Sequence, residues 1–229
     1  MKTLTKTLAL VGGALTSYHV IMRPKMLKRG ATAEEVDSVL PGDEITPPNP
    51  FRSTMATTLE ATPAEIWPWL VQVGWQRGAF YSYNKIEGLL GMDLKNANRI
   101  HQEWQGLKVG DVMWMSHPRL KYLFPVTKAL TIDPFKTLVF AIYGPEGPNS
   151  TPSGAWSFIL EPIDDHTTRL IARFQVSTPS FVGKMLFYGF MEPAHFLMQK
   201  GMFKGLKERL AHNKGEPSEK NKTPEPSLN

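Results

Sequence analysis

The residues best suited to hold a polar ligand group lie in segment 64–87, which is rich in aromatic side chains and contains Trp69. The guanidinium of Arg77 stands there between two glycines. An arginine in such a place can bind a carboxylate or carbonyl through paired hydrogen bonds. The structural alternative is an ion pair, for which Glu87 is the candidate partner. Arg77, Trp69 and Glu87 are therefore candidates for ligand binding, and the structural role of Arg77 is slightly favoured.

Four further aromatic residues are candidates for the wall of a ligand site. Tyr81 and Tyr83 alternate along the chain, so in an extended segment they point to opposite faces and one of them at most faces a cavity. Trp104 and Trp156 lie further along. Large aromatic side chains more often fill a core than contact a ligand, and that alternative applies to both tryptophans and to Trp69.

A second group of candidates lies near the C-terminus, where Met191, His195, Met198 and Met202 share one face of a predicted helix. Methionine is flexible and suits irregular or ligand-filled space, although ordinary core is its commoner use. As a general base His195 needs an orienting acid, and Glu192 is only a weak candidate. No residue is therefore assigned a catalytic role.

Several classes of chemistry have no support in the sequence. The chain has no cysteine, and its six histidines lack the spacing of metal ligands. No phosphate-binding glycine loop or nucleophile elbow is present. The net charge of +5 is modest and forms no dense basic face, which argues against nucleic-acid binding. We therefore expect no metal, no cofactor and no nucleic-acid partner.

The aromatic segment begins with a strong helix start. Thr62 and Glu65 have the spacing of a capping box, and a proline follows Thr62 at the first helical position. Ile66 begins an apolar stripe at helical spacing. Pro68 lies inside this pattern and is expected to bend the helix or to split it into two short pieces.

Most of the remaining chain has the character of strands. Turn signals and alternating or β-branched residues predict strands over 51–59, 112–116, 124–132, 137–143, 155–162 and 167–176. A helix over 181–211 follows, restarting at Pro193. This order predicts an α+β helix-grip fold, in which a curved antiparallel sheet wraps around a long C-terminal helix and leaves a cavity between them. The loop over 144–154 is either a flap at the cavity entrance or a plain surface loop.

Several sequence motifs match a known family. They are GATAEEV with LPGD within 30–43, IWPWLVQVGWQRGAFYSY at 66–83, the segment 87–93, EWQGLKVGD at 103–111, and TRLIAR at 168–173. Over roughly residues 23–212 the chain resembles the SRPBCC superfamily, the START and polyketide cyclase/dehydrase relatives. The resemblance implies a helix-grip fold and the binding of apolar or aromatic small molecules, with cyclisation or dehydration in a few members. It carries over no catalytic residue, and Ala79 replaces an expected glycine.

The N-terminus holds an apolar run over 7–22 with basic residues on both sides. At about 1.5 Å per residue a helix of this run spans roughly 24 Å, somewhat less than a bilayer core of about 30 Å. We expect a membrane anchor with the main domain on the cytoplasmic side, because the heavier basic flank follows the run. A signal peptide and a surface-lying or buried helix are the alternatives, and a soluble cytoplasmic protein is the alternative location.

The predicted organisation has four parts. Residues 1–22 form the apolar segment, 23–50 a helix and a proline-rich connector, 51–212 the helix-grip domain, and 213–229 a disordered tail. The predicted function is binding of an apolar or aromatic small molecule or lipid. The alternatives are a cyclase- or dehydratase-like enzyme acting on a hydrophobic substrate, and a partner-binding module without a ligand, which would have a filled core and an exposed apolar patch.

Overall fold

A single antiparallel sheet of six strands forms the centre of the protein, whose computed structural model describes residues 13, 16–177 and 181–215. The strands are β1 Phe51–Leu59, β2 Val112–Trp114, β3 Val126–Asp133, β4 Thr137–Tyr143, β5 Gly154–Asp164 and β6 Thr167–Val176. Their order across the sheet is β1-β6-β5-β4-β3-β2, so β1 pairs with the last strand of the chain. All six were predicted, with bounds that differ by two residues or fewer.

Six α-helices surround the sheet in the part of the chain that the structure describes. They are α1 Arg23–Leu27, α2 Ala33–Asp37, α3 Pro63–Val71, α4 Asn84–Leu89, α5 Phe181–Leu186 and α6 Glu192–Gly215. A π-helical turn over Tyr18–Met22 precedes α1, and another over Phe187–Met191 joins α5 to α6. The predicted C-terminal helix is therefore interrupted just before Pro193, at the position that the proline indicated.

The start of α3 follows from the capping box of Thr62 and Glu65. The Thr62 hydroxyl accepts from the Glu65 amide, and the Glu65 carboxylate accepts from the Thr62 amide at 2.7 Å. Ile66 and the rest of the apolar stripe are buried. The expected split at Pro68 is wrong, because α3 continues through the proline to Val71. Only three residues follow Pro68 in the helix, so the disturbance falls where the helix ends.

The core lies between the inner face of the sheet, α3 and α6. Alternate residues of the strands point inwards, as at Met55, Phe158 and Leu170, and pack in one cluster with Trp69 and Leu206. Full burial of each such side chain contributes about 1.5–3 kcal/mol. The curved sheet and the long C-terminal helix confirm the predicted α+β helix-grip fold.

The outer face of the sheet is covered by the segment between α1 and β1. Its residues 28–46, named the strap here, run past the edge of β1, where the Ala56 amide donates to the Arg29 carbonyl. The fully buried guanidinium of Arg173 on β6 then donates to three strap carbonyls and to the Asp43 carboxylate, the last at 2.7 Å. The strap is thereby fixed to the sheet by charge-assisted hydrogen bonds.

The predicted N-terminal and C-terminal segments fall largely outside the described residues. Of the apolar run over 7–22, only residues 13 and 16–22 are described, and of the predicted tail only 213–215. Within the described ranges, no helix combines the length and the apolar character needed to cross a bilayer.

Candidate functional site

An apolar cavity lies between the inner face of the sheet and the first turns of α6. The space open to the centre of a water-sized sphere is about 50 Å³. Five methionines line it: Met92, Met115, Met191, Met198 and Met202. Five aromatic rings complete most of the wall: Phe80, Phe124, Trp156, Phe174 and Phe187. The wall also contains a proline, an alanine and two polar side chains, His195 and Gln199.

The wall residues come together through helix periodicity on one side and strand pairing on the other. Met191, His195 and Met198 recur at helical spacing, so they lie on one face of the C-terminal helical region. Trp156 on β5 and Phe174 on β6 are paired across the strands, and both point to the inner face. The cavity is therefore bounded by one helix face and the middle of the sheet.

His195 is a neutral, unpaired imidazole in this wall. Its ring centre lies 4.4 Å from that of Phe174 and 6.1 Å from that of Phe51. No described residue hydrogen-bonds to its ring. Burial lowers the pKa of His195 to about 4, because the apolar surroundings disfavour the charged form. At neutral pH the ring therefore offers one donor and one acceptor.

Gln199 lies one helical turn after His195 and was not predicted from the sequence. It is 3% exposed, and its Oε1 accepts from Trp156 Nε1 at 3.3 Å. Its Nε2 contacts only the sulfur of Met202, at 3.7 Å, which is a weak acceptor. The spacing of four residues from His195 was the one signal in the sequence that could have identified Gln199.

Glu192, the weak candidate for orienting His195, is used elsewhere. Its buried carboxylate accepts from the Arg23 guanidinium through three contacts of 2.8–3.0 Å. The Arg23 guanidinium also lies over the ring of Tyr188, 5.3 Å from its centre. The ion pair thus holds α1 against the start of α6 and leaves His195 without an acid partner.

A groove of about 430 Å³ adjoins the cavity and shares four wall residues with it: Pro125, Phe174, Phe187 and Met191. Residues 121–123 line one side of the groove, and Gly183, Phe187 and Met191 line the other. Residues from the β4–β5 loop, among them Glu146 and Thr151, also border it. The loop that was predicted as a flap or as plain surface therefore borders a groove next to the cavity, and its mobility stays a prediction.

Arg77 lies outside the cavity and closes the end of α3. One terminal nitrogen of its guanidinium donates to the Val71 carbonyl at 2.9 Å and to the Trp104 carbonyl at 2.6 Å. Val71 is the last residue of α3, whose final carbonyls lack partners within the helix. Arg77 therefore supplies a cap and ties the helix to the segment that contains Trp104.

The predicted ion pair between Arg77 and Glu87 is wrong. The Glu87 carboxylate is fully buried and accepts from the side-chain amide of Asn96 at 3.0 Å. Burial raises the pKa of Glu87 above its usual value, the expected result where no cation is close. The Arg77 and Glu87 side chains bond to different segments of the chain, although the two residues lie close together in sequence.

Tyr81 and Tyr83 belong to a turn that folds back on the end of α3. The Tyr81 hydroxyl donates to the Trp69 carbonyl at 2.8 Å, and the two rings meet edge to face. Tyr81 has a φ of 58° and Ala79 a φ of 54°, so the segment is not extended and the expected alternation with Tyr83 does not hold. Both tyrosines border a separate, more polar surface pocket. The left-handed backbone at Ala79 is the reason why a glycine is expected there.

The structure brings together five of the eleven predicted site residues in the cavity wall: Trp156, Met191, His195, Met198 and Met202. The other six lie outside it: Trp69, Arg77, Tyr81, Tyr83, Glu87 and Trp104. Trp69 is fully buried, and Trp104 stacks on His101 at 4.1 Å. A binding role for any of the eleven stays a prediction.

The described residues also contain no group of three or more histidine or acidic side chains placed to hold a metal ion.

Fold and cavity together define a helix-grip domain with an apolar internal cavity.

Solved structures to which the chain is similar include protein NE0264 from Nitrosomonas europaea, with 14% identity over 72% of this chain and 97% of the other and a TM-score of 0.43. Protein MLL2253 from Mesorhizobium loti has 16% identity over 71% and 98%, with a TM-score of 0.42. The Polyketide_cyc-like protein Cgl2372 from Corynebacterium glutamicum has 12% identity over 72% and 90%, with a TM-score of 0.34.

No family model and no curated protein matches the chain. With identities below 25% and TM-scores below 0.5, these neighbours say nothing about the ligand or the activity of this protein.

Proposed function

We propose that the protein binds an apolar or aromatic small molecule or lipid in the cavity between the sheet and α6. The observation that supports this most directly is the composition of the wall. Of the fourteen wall residues that the structure describes, ten are methionines or aromatic residues and none is charged. Such surfaces favour apolar ligands, and a few polar groups in them fix the orientation of the ligand.

The cavity is smaller than a typical ligand pocket, so its wall would have to rearrange when a ligand binds. About 50 Å³ has room for a few waters at roughly 10–15 Å³ each. Pockets for drug-sized ligands measure about 300–1,000 Å³. Methionine side chains have three rotatable bonds and rearrange at low cost. A ligand would therefore enter along the groove and displace methionine side chains, with Met191 common to the groove and the cavity.

The two alternatives receive less support. A cyclase- or dehydratase-like enzyme would require Arg77, a tyrosine and His195 to converge, whereas only His195 lines the cavity. His195 also lacks an orienting acid, since Glu192 is bound to Arg23. A partner-binding module without a ligand was expected to combine an exposed apolar patch with a filled core. Exposed apolar side chains are present, but this core contains a cavity.

Native mass spectrometry of the purified protein tests the proposal, with a matched pair of variants. Ala194→Phe places a ring in the cavity wall, whereas Leu197→Phe places the same ring at an exposed site on the same helix. We expect a co-purifying hydrophobic molecule in the wild type and in Leu197→Phe, and its loss in folded Ala194→Phe. Retention of the molecule by Ala194→Phe would place binding elsewhere. If nothing co-purifies, the same pair is compared by titration with naphthalene.

We further propose that the groove opens onto a membrane surface. Tyr122 and Leu123 line the groove and are exposed, and the helical region that contributes Gly183, Phe187 and Met191 to the groove also exposes Met185, Tyr188 and Phe190. These five exposed side chains, Tyr122, Leu123, Met185, Tyr188 and Phe190, are named the rim here. The exposed Lys121 and Lys184 flank them, a combination that suits anionic lipid headgroups. Residues 20–22, at the end of the predicted membrane segment, are also exposed and adjoin the rim through Arg23 and Tyr188.

Vesicle flotation tests this second proposal. Phosphatidylcholine vesicles with and without phosphatidylglycerol are compared, using the wild type, the double variant Tyr122→Ser and Leu123→Ser, and Leu89→Ser. Leu89 is a matched control because it is exposed but lies away from the groove. We expect anionic vesicles to bind the wild type and Leu89→Ser, and binding to fall in the double variant. Equal flotation of all three proteins would contradict a role of the rim.

A further inference from the structure

The two polar side chains in the cavity wall have hydrogen-bonding groups left over. His195 and Gln199 are four residues apart and so lie on the same face of α6. The Gln199 carbonyl oxygen is occupied by the indole of Trp156, whereas its amide nitrogen has a sulfur contact as its one partner among the described residues. The His195 ring contacts aromatic rings and has no hydrogen bond from the described residues. The cavity thus offers two unused donors and one acceptor.

We infer that the ligand is an uncharged hydrophobic molecule with one oxygen group, a hydroxyl or carbonyl, which pairs with His195 and Gln199. The inference rests on the proposed binding function and specifies its ligand class. A carbonyl oxygen has two lone pairs and can accept from both side chains. A hydroxyl can accept from the Gln199 amide and donate to the imidazole.

The lack of charge in the wall disfavours a ligand that buries an anionic or cationic group in the cavity. Among the described residues, no lysine, arginine, aspartate or glutamate lines the cavity. The carboxylate on the same helix, Glu192, is neutralised by Arg23 outside the wall. A carboxylate or ammonium buried here would lack a partner of opposite charge, and burial of an unpaired charge is strongly unfavourable.

A pure hydrocarbon is also disfavoured, for a different reason. It would displace any water from His195 and Gln199 and leave their donors buried without acceptors. Specificity for an oxygen group arises in this way, because a site built to form a hydrogen bond rejects an analogue that cannot form one. Both side chains are therefore specificity-determining residues of the same site.

Three probes of nearly equal size test the inference by isothermal titration at pH 7: naphthalene, 1-naphthol and 1-naphthoate. A phenolic hydroxyl remains neutral at this pH, whereas a carboxylic acid is ionised. We expect 1-naphthol to bind about two- to tenfold more tightly than naphthalene, the range for a neutral hydrogen bond. 1-Naphthoate should bind at least about tenfold more weakly than 1-naphthol.

Variants then test which side chains cause the tighter binding of 1-naphthol. In His195→Phe and Gln199→Leu, we expect the affinity ratio of 1-naphthol to naphthalene to fall towards one. His195→Gln restores a donor and an acceptor, so it should retain part of the preference. Met198→Leu changes the wall without altering hydrogen bonding, and should change both affinities by the same factor. Thermal melts establish that each variant is folded.

The outcomes separate this inference from the proposed function. If naphthalene and 1-naphthol bind the wild type equally, or if His195→Phe and Gln199→Leu both keep the preference, the inference fails while apolar binding stands. Tighter binding of 1-naphthoate also overturns it. If none of the three probes binds, the proposed function fails and the inference fails with it.

Discussion

The C-terminal helix α6 packs against two regions that differ in how completely they are filled. Around Gly205 it meets the turn over residues 69–83, named the aromatic turn here, and a Cβ at Gly205 would overlap the Tyr81 carbonyl. Around His195 the same helix faces a cavity. At Gly205 the helix touches the backbone of the aromatic turn beside a polar surface pocket, whereas at the methionine-rich end an internal apolar space separates the helix from the sheet.

The contrast shows two uses of large side chains. In the aromatic turn, rigid rings and Arg77 satisfy backbone carbonyls and hold one geometry. At the other end, flexible methionines surround a space that they do not fill. Rigid, well-packed structure at one end of α6 would allow the other end to adapt to a ligand without loss of the fold.

The largest expected effect is that of Arg77→Met. Each hydrogen bond from a charged donor contributes about 1.5–3 kcal/mol, so loss of two should lower the free energy of unfolding by roughly 3–6 kcal/mol. Urea denaturation measures this change. Arg119→Met, at an exposed guanidinium, should change it by less than about 0.5 kcal/mol. Normal stability combined with weaker ligand binding would instead assign Arg77 to the site.

Gly205→Ala tests the close approach of α6 to the aromatic turn. The added methyl group meets backbone rather than a side chain end, so the helix must shift. We expect a loss of about 3 kcal/mol, the upper range for overpacking. Gly189→Ala is the matched control, since nothing lies within 4 Å of its new Cβ, and it should be neutral. Equal melting temperatures for both variants would show that the turn is not closed.

The pH dependence of stability tests the environment of His195. Its pKa is about 4 in the folded protein and about 6.5 in an unfolded chain, so the unfolded state binds the proton first as pH falls. This contribution is constant above pH 6.5 and should decline by about 2–3 kcal/mol between pH 6.5 and 4. Unfolding curves of the wild type and His195→Phe should diverge over that window. Parallel curves would mean that the imidazole is solvated.

The smallest effect is expected for the replacement of methionine by leucine, which is compared at two sites. Met198→Leu, in the cavity wall, should change the free energy of unfolding by less than about 0.5 kcal/mol, because the space accepts a different shape. Met55→Leu, in the closed core, should cost about 1–1.5 kcal/mol, within the range for swaps of equal volume. A larger cost at Met198 would indicate a wall that is as rigid as the core.

Local signals in the sequence were reliable because the interactions behind them are local. The capping box of Thr62 and Glu65 joins residues three apart. The alternation in β6 identified the strand but not its burial, because residues 170–176 are buried on both faces. The shared face of Met191, His195 and Met198 likewise follows from helix geometry. The order of such elements was sufficient to predict the helix-grip fold.

Hydrogen bonds between residues that lie far apart in the sequence could not be predicted. Arg77 donates to carbonyls six and 27 residues away. Glu87, which was predicted as its partner because it lies nearby in sequence, does not bind it. Gln199 meets Trp156 across 43 residues, and Arg173 meets Asp43 across 130. No periodicity relates residues at such distances.

The sequence by itself determined the elements, their order and the methionine-rich face of α6, since these depend on backbone preference and on the spacing of apolar residues. The tertiary structure decided which side chains face open space. It closed the aromatic turn, placed the strap across the outer face of the sheet, and left His195 and Gln199 in the cavity wall. The physical reason is that packing depends on how surfaces from distant segments fit together, and that fit exists only once the sheet has curved around the helix.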